Sequence, residues 1–119
     1  MLAEARRRID RLTPAQAAAE AAAGAVLVDT RDTADRARDG AIEGSVPIPR
    51  TVLEWRADPT SDSSDPRIAD LGARLIIVCA EGYSSSLAAA SLKDLGFERV
   101  ADLEGGFAAW KAAGLPVIE

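Results

Sequence analysis

The single cysteine of this 119-residue chain is followed by residues typical of an anion-binding turn. The stretch IIVCAEGYSSSLAAA, residues 76–90, runs from apolar residues into Cys79, then through Gly82 and three serines into alanines. A turn that opens a helix can direct several backbone N–H groups, and the positive end of the helix dipole, at one anion. We therefore expect Cys79 to have a lowered pKa and to act as a thiolate nucleophile, without the histidine partner that the chain lacks.

A structural cysteine is the simpler alternative, because free cysteines are often buried as small apolar residues. The flanking elements favour the reactive interpretation. Residues 75–78 are consecutive apolar residues and predict a central strand, whereas residues 85–95 predict a helix that ends at Gly96. Cys79 would then lie at the carboxyl edge of a parallel sheet, where α/β folds bind ligands. In this interpretation Gly82 lets the chain turn, and Ser84 or Ser85 caps the helix.

The rest of the chain alternates predicted helices and strands. Thr13, Pro14 and Gln16 combine an N-cap, a first-turn proline and a capping box, which predicts a helix over 15–23. Further strands are predicted at 26–28, around 45–46 and at 99–103, and further helices at 51–56 and 106–113, with one or two helical turns before residue 39. This alternation predicts an α/β domain with a parallel sheet between two layers of helices.

Length and composition limit the organisation and the partners. One domain over residues 1–119 is expected, with residues 1–8 as an N-terminal extension and residues 58–66, DPTSDSSDP, as an exposed, mobile loop. The net charge of −5, without a basic stripe, argues against a nucleic-acid partner. The chain shows no signal peptide or apolar run of about 20 residues, so we expect a cytoplasmic protein with no membrane partner. One cysteine and no histidine exclude an internal disulfide and the usual zinc sites, and no cofactor or metal is expected.

Four blocks of the sequence, in order, resemble the rhodanese-like domains. They are LTPAQAAAEAAAGAVLVDTR at 12–31, GAIEGSVPIP at 40–49, CAEGYSSSLAAASLKDLGF at 79–97 and LEGGFAAWKAAGLPV at 103–117. Their motifs are Asp-x-Arg, Cys-x-x-Gly and Gly-Gly-aromatic-x-x-Trp, which here are Asp29 with Arg31, Cys79 with Gly82, and Gly105, Gly106 and Phe107 with Trp110. The resemblance implies a three-layer α/β/α fold with a central, mostly parallel five-stranded sheet.

The resemblance also implies a reaction, in which Cys79 accepts sulfane sulfur and holds it as a persulfide. The donor would be thiosulfate or a persulfide, and the acceptor cyanide or a thiol, including a thiol of another protein. The substrate-binding residues would be the loop after the nucleophile, namely Ala80, Glu81, Gly82, Tyr83, Ser84 and Ser85. Tyr83 could cover the substrate or be an ordinary exposed side chain, and Asp29 and Arg31 are expected to form an ion pair or turn scaffold beside the site.

Two residues of the loop depart from the family pattern. Many active members carry a basic residue five positions after the cysteine, where this chain has Ser84, and Glu81 adds a negative charge. Thiosulfate, a dianion, is therefore expected to be a weak donor. Arg50 and Arg56, which flank the TVLE stretch of the predicted helix at 51–56, are candidates to replace the missing cation.

Two other functions stay open at this point. The domain could be a catalytically weak binding or redox-sensing module in which the thiol is incidental or responds to oxidation. A cysteine phosphatase of the same fold would need an arginine six residues after the cysteine to clamp phosphate, and that position is Ser85.

Overall fold

Five parallel strands form the centre of the protein in a computed structural model that describes residues 1–118. The strands are β1 (Asp10–Leu12), β2 (Val26–Asp29), β3 (Val46–Pro47), β4 (Leu75–Val78) and β5 (Ala101–Leu103). Their order across the sheet is β1-β5-β4-β2-β3, and every pairing is parallel. All four residues of β4 are buried because helices cover both faces of this middle strand.

The helices form two layers, one on each face of the sheet. They are α1 (Leu2–Arg7), α2 (Pro14–Ala22), α3 (Thr33–Asp39), α4 (Leu53–Ala57), α5 (Ser84–Leu95) and α6 (Gly106–Ala112). One core packs α1, α4 and α5 against the sheet through side chains such as Ala5, Leu53 and Ile77. The other packs α2 and α6 against the opposite face, where Ala17 and Trp110 are buried. The predicted three-layer α/β/α architecture is confirmed.

Local sequence signals set several boundaries. Thr13 and Gln16 form the predicted capping box at the start of α2, with the Gln16 N–H donating to Thr13 Oγ1 at 3.2 Å and the Thr13 N–H donating to Gln16 Oε1 at 2.9 Å. Gly96 ends α5 in the left-handed conformation, at φ +114°. None of the helices in residues 1–118 is long and apolar enough to span a membrane.

The N-terminal segment differs from its prediction as an extension. Residues 2–7 form α1, which packs on α5 and buries Ala5 in the core. Residues 10–12 form β1, an edge strand that the sequence analysis did not predict because two of its three residues are charged. Arg11 on this strand lies opposite Asp102 on β5, so its charge is paired across the ladder.

The loop at 58–66 is anchored at its end, which corrects its prediction as an exposed segment. Asp65 is only 2% exposed. Its carboxylate accepts hydrogen bonds from Arg67 at 2.7 Å and Arg56 at 3.4 Å, and its N–H donates to the Arg56 carbonyl. A buried carboxylate needs such partners, so the two arginines hold the end of the loop against the domain.

Candidate active site

The Sγ atom of Cys79 lies in a backbone cradle between β4 and α5. It accepts hydrogen bonds from the N–H groups of Gly82 at 3.1 Å and Ser85 at 3.3 Å. Cys79 is 6% exposed, directly beyond the end of the buried central strand. The predicted position at the carboxyl edge of the sheet is what the structure shows.

The backbone of α6 holds this loop from the side, and glycines permit the close approach. Gly82 has φ +84°, and a Cβ atom added there would lie 2.6 Å from the Gly105 nitrogen. A Cβ atom on Gly106, at φ +64°, would lie 2.5 Å from the Cys79 carbonyl oxygen. The Phe107 N–H donates to that same oxygen at 2.8 Å. The two-glycine motif thus lets α6 begin directly against the nucleophile loop.

Hydrogen bonds to sulfur outweigh the effect of burial on the thiol. Burial by itself raises the pKa of Cys79, because it disfavours the charged form. The neighbouring hydroxyls of Ser85 and Ser84 and the N–H groups of Ser85 and Gly82, which donate to the sulfur, lower it, and the net pKa is below the ordinary value. The loop therefore favours the thiolate, as the sequence predicts.

Further N–H groups of the loop are free to bind an anion. Within residues 1–118, those of Glu81, Tyr83 and Ser84 donate to no protein acceptor. The side chains of these three residues are exposed, with Tyr83 at 63%. If an anionic atom is bonded to Sγ, these N–H groups are available to donate hydrogen bonds to it, because they do not donate to the thiolate itself.

The serines do not cap α5, contrary to the sequence prediction. Tyr83 is the N-cap residue and its side chain makes no capping hydrogen bond. The Ser85 hydroxyl donates to Asp102 Oδ2 at 2.9 Å, and the Ser86 hydroxyl donates to the same oxygen at 2.7 Å. The buried carboxylate of Asp102 accepts from both hydroxyls and so orients them toward β5.

Asp29 and Arg31 form the predicted ion pair, and it lies beside the loop. Arg31 Nη2 donates to Asp29 Oδ2 at 2.8 Å, and the guanidinium carbon of Arg31 lies 3.8 Å from the centre of the Phe107 ring. Arg31 also lines a cavity of about 340 Å³ together with Ala80 and Glu81 of the loop. The pair is therefore placed as a scaffold beside the loop. The donors to Cys79 Sγ are Gly82 and Ser85, so neither Asp29 nor Arg31 hydrogen-bonds to the sulfur.

Neither Arg50 nor Arg56 is brought to the loop, which contradicts the placement suggested from the sequence. Arg50 Nη1 donates to both carboxylate oxygens of Glu54, at 2.8 and 3.0 Å. Arg56 donates to the Ser63 carbonyl at 2.8 Å and to Asp65. Both cations neutralise carboxylates near their own segment, because these acidic partners are close in sequence.

Two other arginines, which the sequence analysis did not select, do contact the loop. Arg6 of α1 and Arg11 of β1 each donate to the Gly82 carbonyl oxygen, at 3.0 and 3.1 Å. Arg11 also pairs with Asp102. The one signal in the sequence was Asp102 itself, since an aspartate inside an apolar strand requires a cation or several donors.

Comparisons with known proteins agree with this fold. Residues 13–113 match the rhodanese-like domain family. The thiosulfate sulfurtransferase GlpE of Pseudomonas fluorescens is 41% identical over 102 residues, which are 86% of this chain and 84% of that protein. GlpE of Stutzerimonas stutzeri is 41% identical over 101 residues, 85% of this chain and 84% of that protein. A solved structure from Rhodopseudomonas palustris, described as a protein of unknown function and possible tyrosine phosphatase, has a TM-score of 0.90 at 40% identity and covers 98% of this chain and 89% of its own.

Proposed function

The chain belongs to the rhodanese-like domain family, and we propose that it is a sulfurtransferase that carries sulfane sulfur as a persulfide on Cys79. The observation that carries the proposal is the cradle itself. The only thiol of the chain accepts two backbone N–H hydrogen bonds, and three further N–H groups of the same loop have no protein acceptor in residues 1–118. The relatives at about 40% identity are named thiosulfate sulfurtransferases, which supports the same reaction.

The reaction has two displacement steps at sulfur. The Cys79 thiolate attacks the outer sulfur of the donor, and the donor's sulfur–sulfur bond breaks with its electron pair leaving on sulfite or on a thiolate. The product is a Cys79 persulfide, whose outer sulfur is anionic. An acceptor thiolate or cyanide then attacks that outer sulfur, and Cys79 leaves as the thiolate. No net oxidation or reduction of the protein occurs over the cycle.

The cradle fits both states of the nucleophile. In the resting enzyme, the Gly82 and Ser85 N–H groups stabilise negative charge on Sγ. In the persulfide the charge moves to the added sulfur, where the N–H groups of Tyr83 and Ser84 are free to donate. Fixed backbone donors suit such a shift because they need no reorganisation during the reaction.

The identity of the donor follows from the charges of the loop. Glu81 and Ser84 are both exposed and the loop contains no cation, so no loop side chain attracts a dianion. We propose that a persulfide of a small thiol is a better donor than thiosulfate for this chain. A thiol of a small molecule or of another protein is the proposed acceptor, with cyanide as a laboratory substitute.

A phosphatase activity lacks a phosphate clamp in this chain. Although the Rhodopseudomonas palustris relative is described as a possible tyrosine phosphatase, the position six residues after Cys79 is Ser85. The Ser85 hydroxyl donates to Asp102. A serine that faces a buried carboxylate cannot supply the bidentate cationic contact that a phosphate ester requires.

The direct test is intact-mass spectrometry after incubation with a sulfur donor. Wild-type protein and Cys79→Ser are treated with thiosulfate and, separately, with glutathione persulfide. We expect the mass of one added sulfur on wild type only, reversed by cyanide, and more complete with glutathione persulfide. An unmodified wild-type protein whose thiol is free and alkylatable would instead support the binding or redox-sensing module.

A further inference from the structure

Two guanidinium groups share one carbonyl oxygen directly behind the nucleophile loop. Arg6 Nη2 and Arg11 Nη2 donate to the Gly82 oxygen at 3.0 and 3.1 Å, and the nitrogen of the same residue donates to Cys79 Sγ at 3.1 Å. The nitrogen and oxygen of one residue are about 3 Å apart, so each cation lies within roughly 10 Å of the sulfur. Gly82 alone thus lies between these two positive charges and the sulfur atom of Cys79.

A buried carboxylate completes the network and fixes both arginines. Asp102 is fully buried and accepts from Arg11 Nε at 3.0 Å as well as from the hydroxyls of Ser85 and Ser86. Arg6 Nε donates to Ser86 Oγ at 3.0 Å. The contacts therefore close a ring from Arg6 through Ser86, Asp102 and Arg11 back to the Gly82 oxygen. The ring contains two cations and one anion, which leaves one net positive charge behind the loop.

We propose that Arg6 and Arg11 are positioning residues that supply, from behind the loop, the positive charge that Ser84 does not supply within it. This inference rests on the proposed function for its catalytic meaning. Both arginines precede residue 13, where the match to the family model begins, so the match does not include them.

The two arginines also orient a donor of the cradle. Their hydrogen bonds occupy both lone pairs of the Gly82 carbonyl oxygen. No peptide bond in residues 1–118 is cis, so the N–H of Tyr83 points away from the arginines, opposite to that carbonyl. Hydrogen bonds to the oxygen polarise the peptide group and strengthen its N–H as a donor. The Tyr83 N–H is one of the groups that is free to bind the persulfide sulfur.

Other charged groups around the loop are already paired or exposed. They are Glu81 in the loop, Arg31 paired with Asp29, and Arg38, Asp39 and Lys111 around the neighbouring cavity, of which Arg38 pairs with Asp39. Within residues 1–118, Arg6 and Arg11 are the arginines that hydrogen-bond to the backbone of the loop. Removing either cation should therefore change the electrostatic potential at Cys79, because only the other arginine remains on the Gly82 carbonyl oxygen.

The pH dependence of Cys79 alkylation by iodoacetamide tests this inference. The variants are Arg6→Gln, Arg11→Gln and Asp102→Asn, with Arg8→Gln as the matched control because Arg8 directly follows α1 but pairs with Asp94. We expect both loop-arginine variants to shift the profile to higher pH and to alkylate roughly threefold more slowly below the midpoint. Arg8→Gln should match wild type, and Arg6→Lys should recover part of the loss.

The Asp102 variant separates a charge effect from a loosened loop. Asp102→Asn removes the negative charge and frees the Ser85 hydroxyl, so it should shift the profile to lower pH, opposite to the arginine variants. A network that acts only as a brace would shift every variant toward higher pH. If Asp102→Asn does not fold, the comparison of Arg6→Gln with Arg6→Lys decides, because Arg6 does not contact Asp102.

Two results would overturn the inference: unchanged profiles in folded Arg6→Gln and Arg11→Gln, or an upward shift in Asp102→Asn. Alkylation requires no sulfur donor, so the outcome does not depend on sulfur transfer. A wild-type protein that takes up no sulfur would remove the proposed function and leave the effect of the arginines on the thiolate measurable.

Discussion

Replacing Gly82 by alanine tests how closely α6 approaches the nucleophile loop. An alanine at φ +84° costs about 1 kcal/mol of folding free energy through its backbone conformation alone. Its Cβ atom would also lie 2.6 Å from the Gly105 nitrogen and 3.0 Å from the Gly105 Cα. Both are backbone atoms that cannot rotate away, and such overpacking costs a further 1–3 kcal/mol or so. We expect Gly82→Ala to lose about 2–4 kcal/mol of unfolding free energy.

The same substitution should weaken the thiolate. The loop can relieve the clash only by moving Gly82 away from Gly105, which disturbs the 3.1 Å hydrogen bond from the Gly82 N–H to Sγ. A hydrogen bond to a charged group contributes about 1.5–3 kcal/mol, so its loss should reduce the alkylation rate at a fixed pH about tenfold or more. Denaturant unfolding measures the first effect, and iodoacetamide alkylation of Cys79 measures the second.

Gly44 provides the matched control, because its φ is +82° and a Cβ atom there would meet nothing within 4 Å. Gly44→Ala should therefore show only the conformational cost of about 1 kcal/mol and alkylate at the wild-type rate. Equal losses of stability in the two variants, together with normal reactivity of Gly82→Ala, would show that the contact between α6 and the loop is not tight. The explanation given above for the two-glycine motif would then be wrong.

Two further predictions concern charged residues outside the cradle. Arg50→Ala and Arg56→Ala should both keep wild-type kinetics of sulfur transfer, because neither arginine contacts the loop. Arg56→Ala alone should lower the melting temperature, because Asp65 loses a partner. A loss of turnover without a loss of stability would contradict the placement of these arginines. The hydrogen bond from Arg67 lowers the pKa of Asp65 from 3.8 to about 2, so its ionised form should stabilise the fold by about 1–2 kcal/mol above pH 4 and lose that effect as the pH falls toward 2. Asp65→Asn should accordingly be less stable than wild type at pH 7 and approach it near pH 2, and a constant difference between the two proteins would contradict this assignment.

The central part of the fold was predictable because local sequence patterns determine its strand, turn and helix start. A strand buried on both faces must be apolar throughout, as β4 is, and the turn that follows needs a residue that tolerates positive φ, which Gly82 provides. The capping box of α2 is likewise a local pattern of side-chain and backbone hydrogen bonds. Cys79 could therefore be placed at the carboxyl edge of the sheet before any contact was known.

The partners of the loop were not predictable because they are distant in sequence. Arg6 and Arg11 are separated from Gly82 by 76 and 71 positions, and Arg11 from Asp102 by 91. The sequence shows that a buried aspartate needs a cation, but 14 lysines and arginines are available, and the register of β1 against β5 selects one of them. The suggestion of Arg50 and Arg56 failed for the opposite reason, because each pairs with a carboxylate close in sequence, Glu54 and Asp65 respectively.

The position of the cations bears on which step of sulfur transfer they assist. A basic side chain within the loop can touch the oxygen atoms of a donor such as thiosulfate, so it distinguishes donors by their charge. Arg6 and Arg11 contact the loop backbone at the carbonyl oxygen of Gly82, so in the proposed role they act on the sulfur of Cys79 whatever donor is bound. In the proposed arrangement the N-terminal segment adds to the stabilisation of the thiolate by the cradle, while Glu81 and Ser84 at the exposed surface leave the loop without attraction for a dianion. A single cation within the loop can both stabilise the nucleophile and recognise the donor. In this chain the two roles are separate.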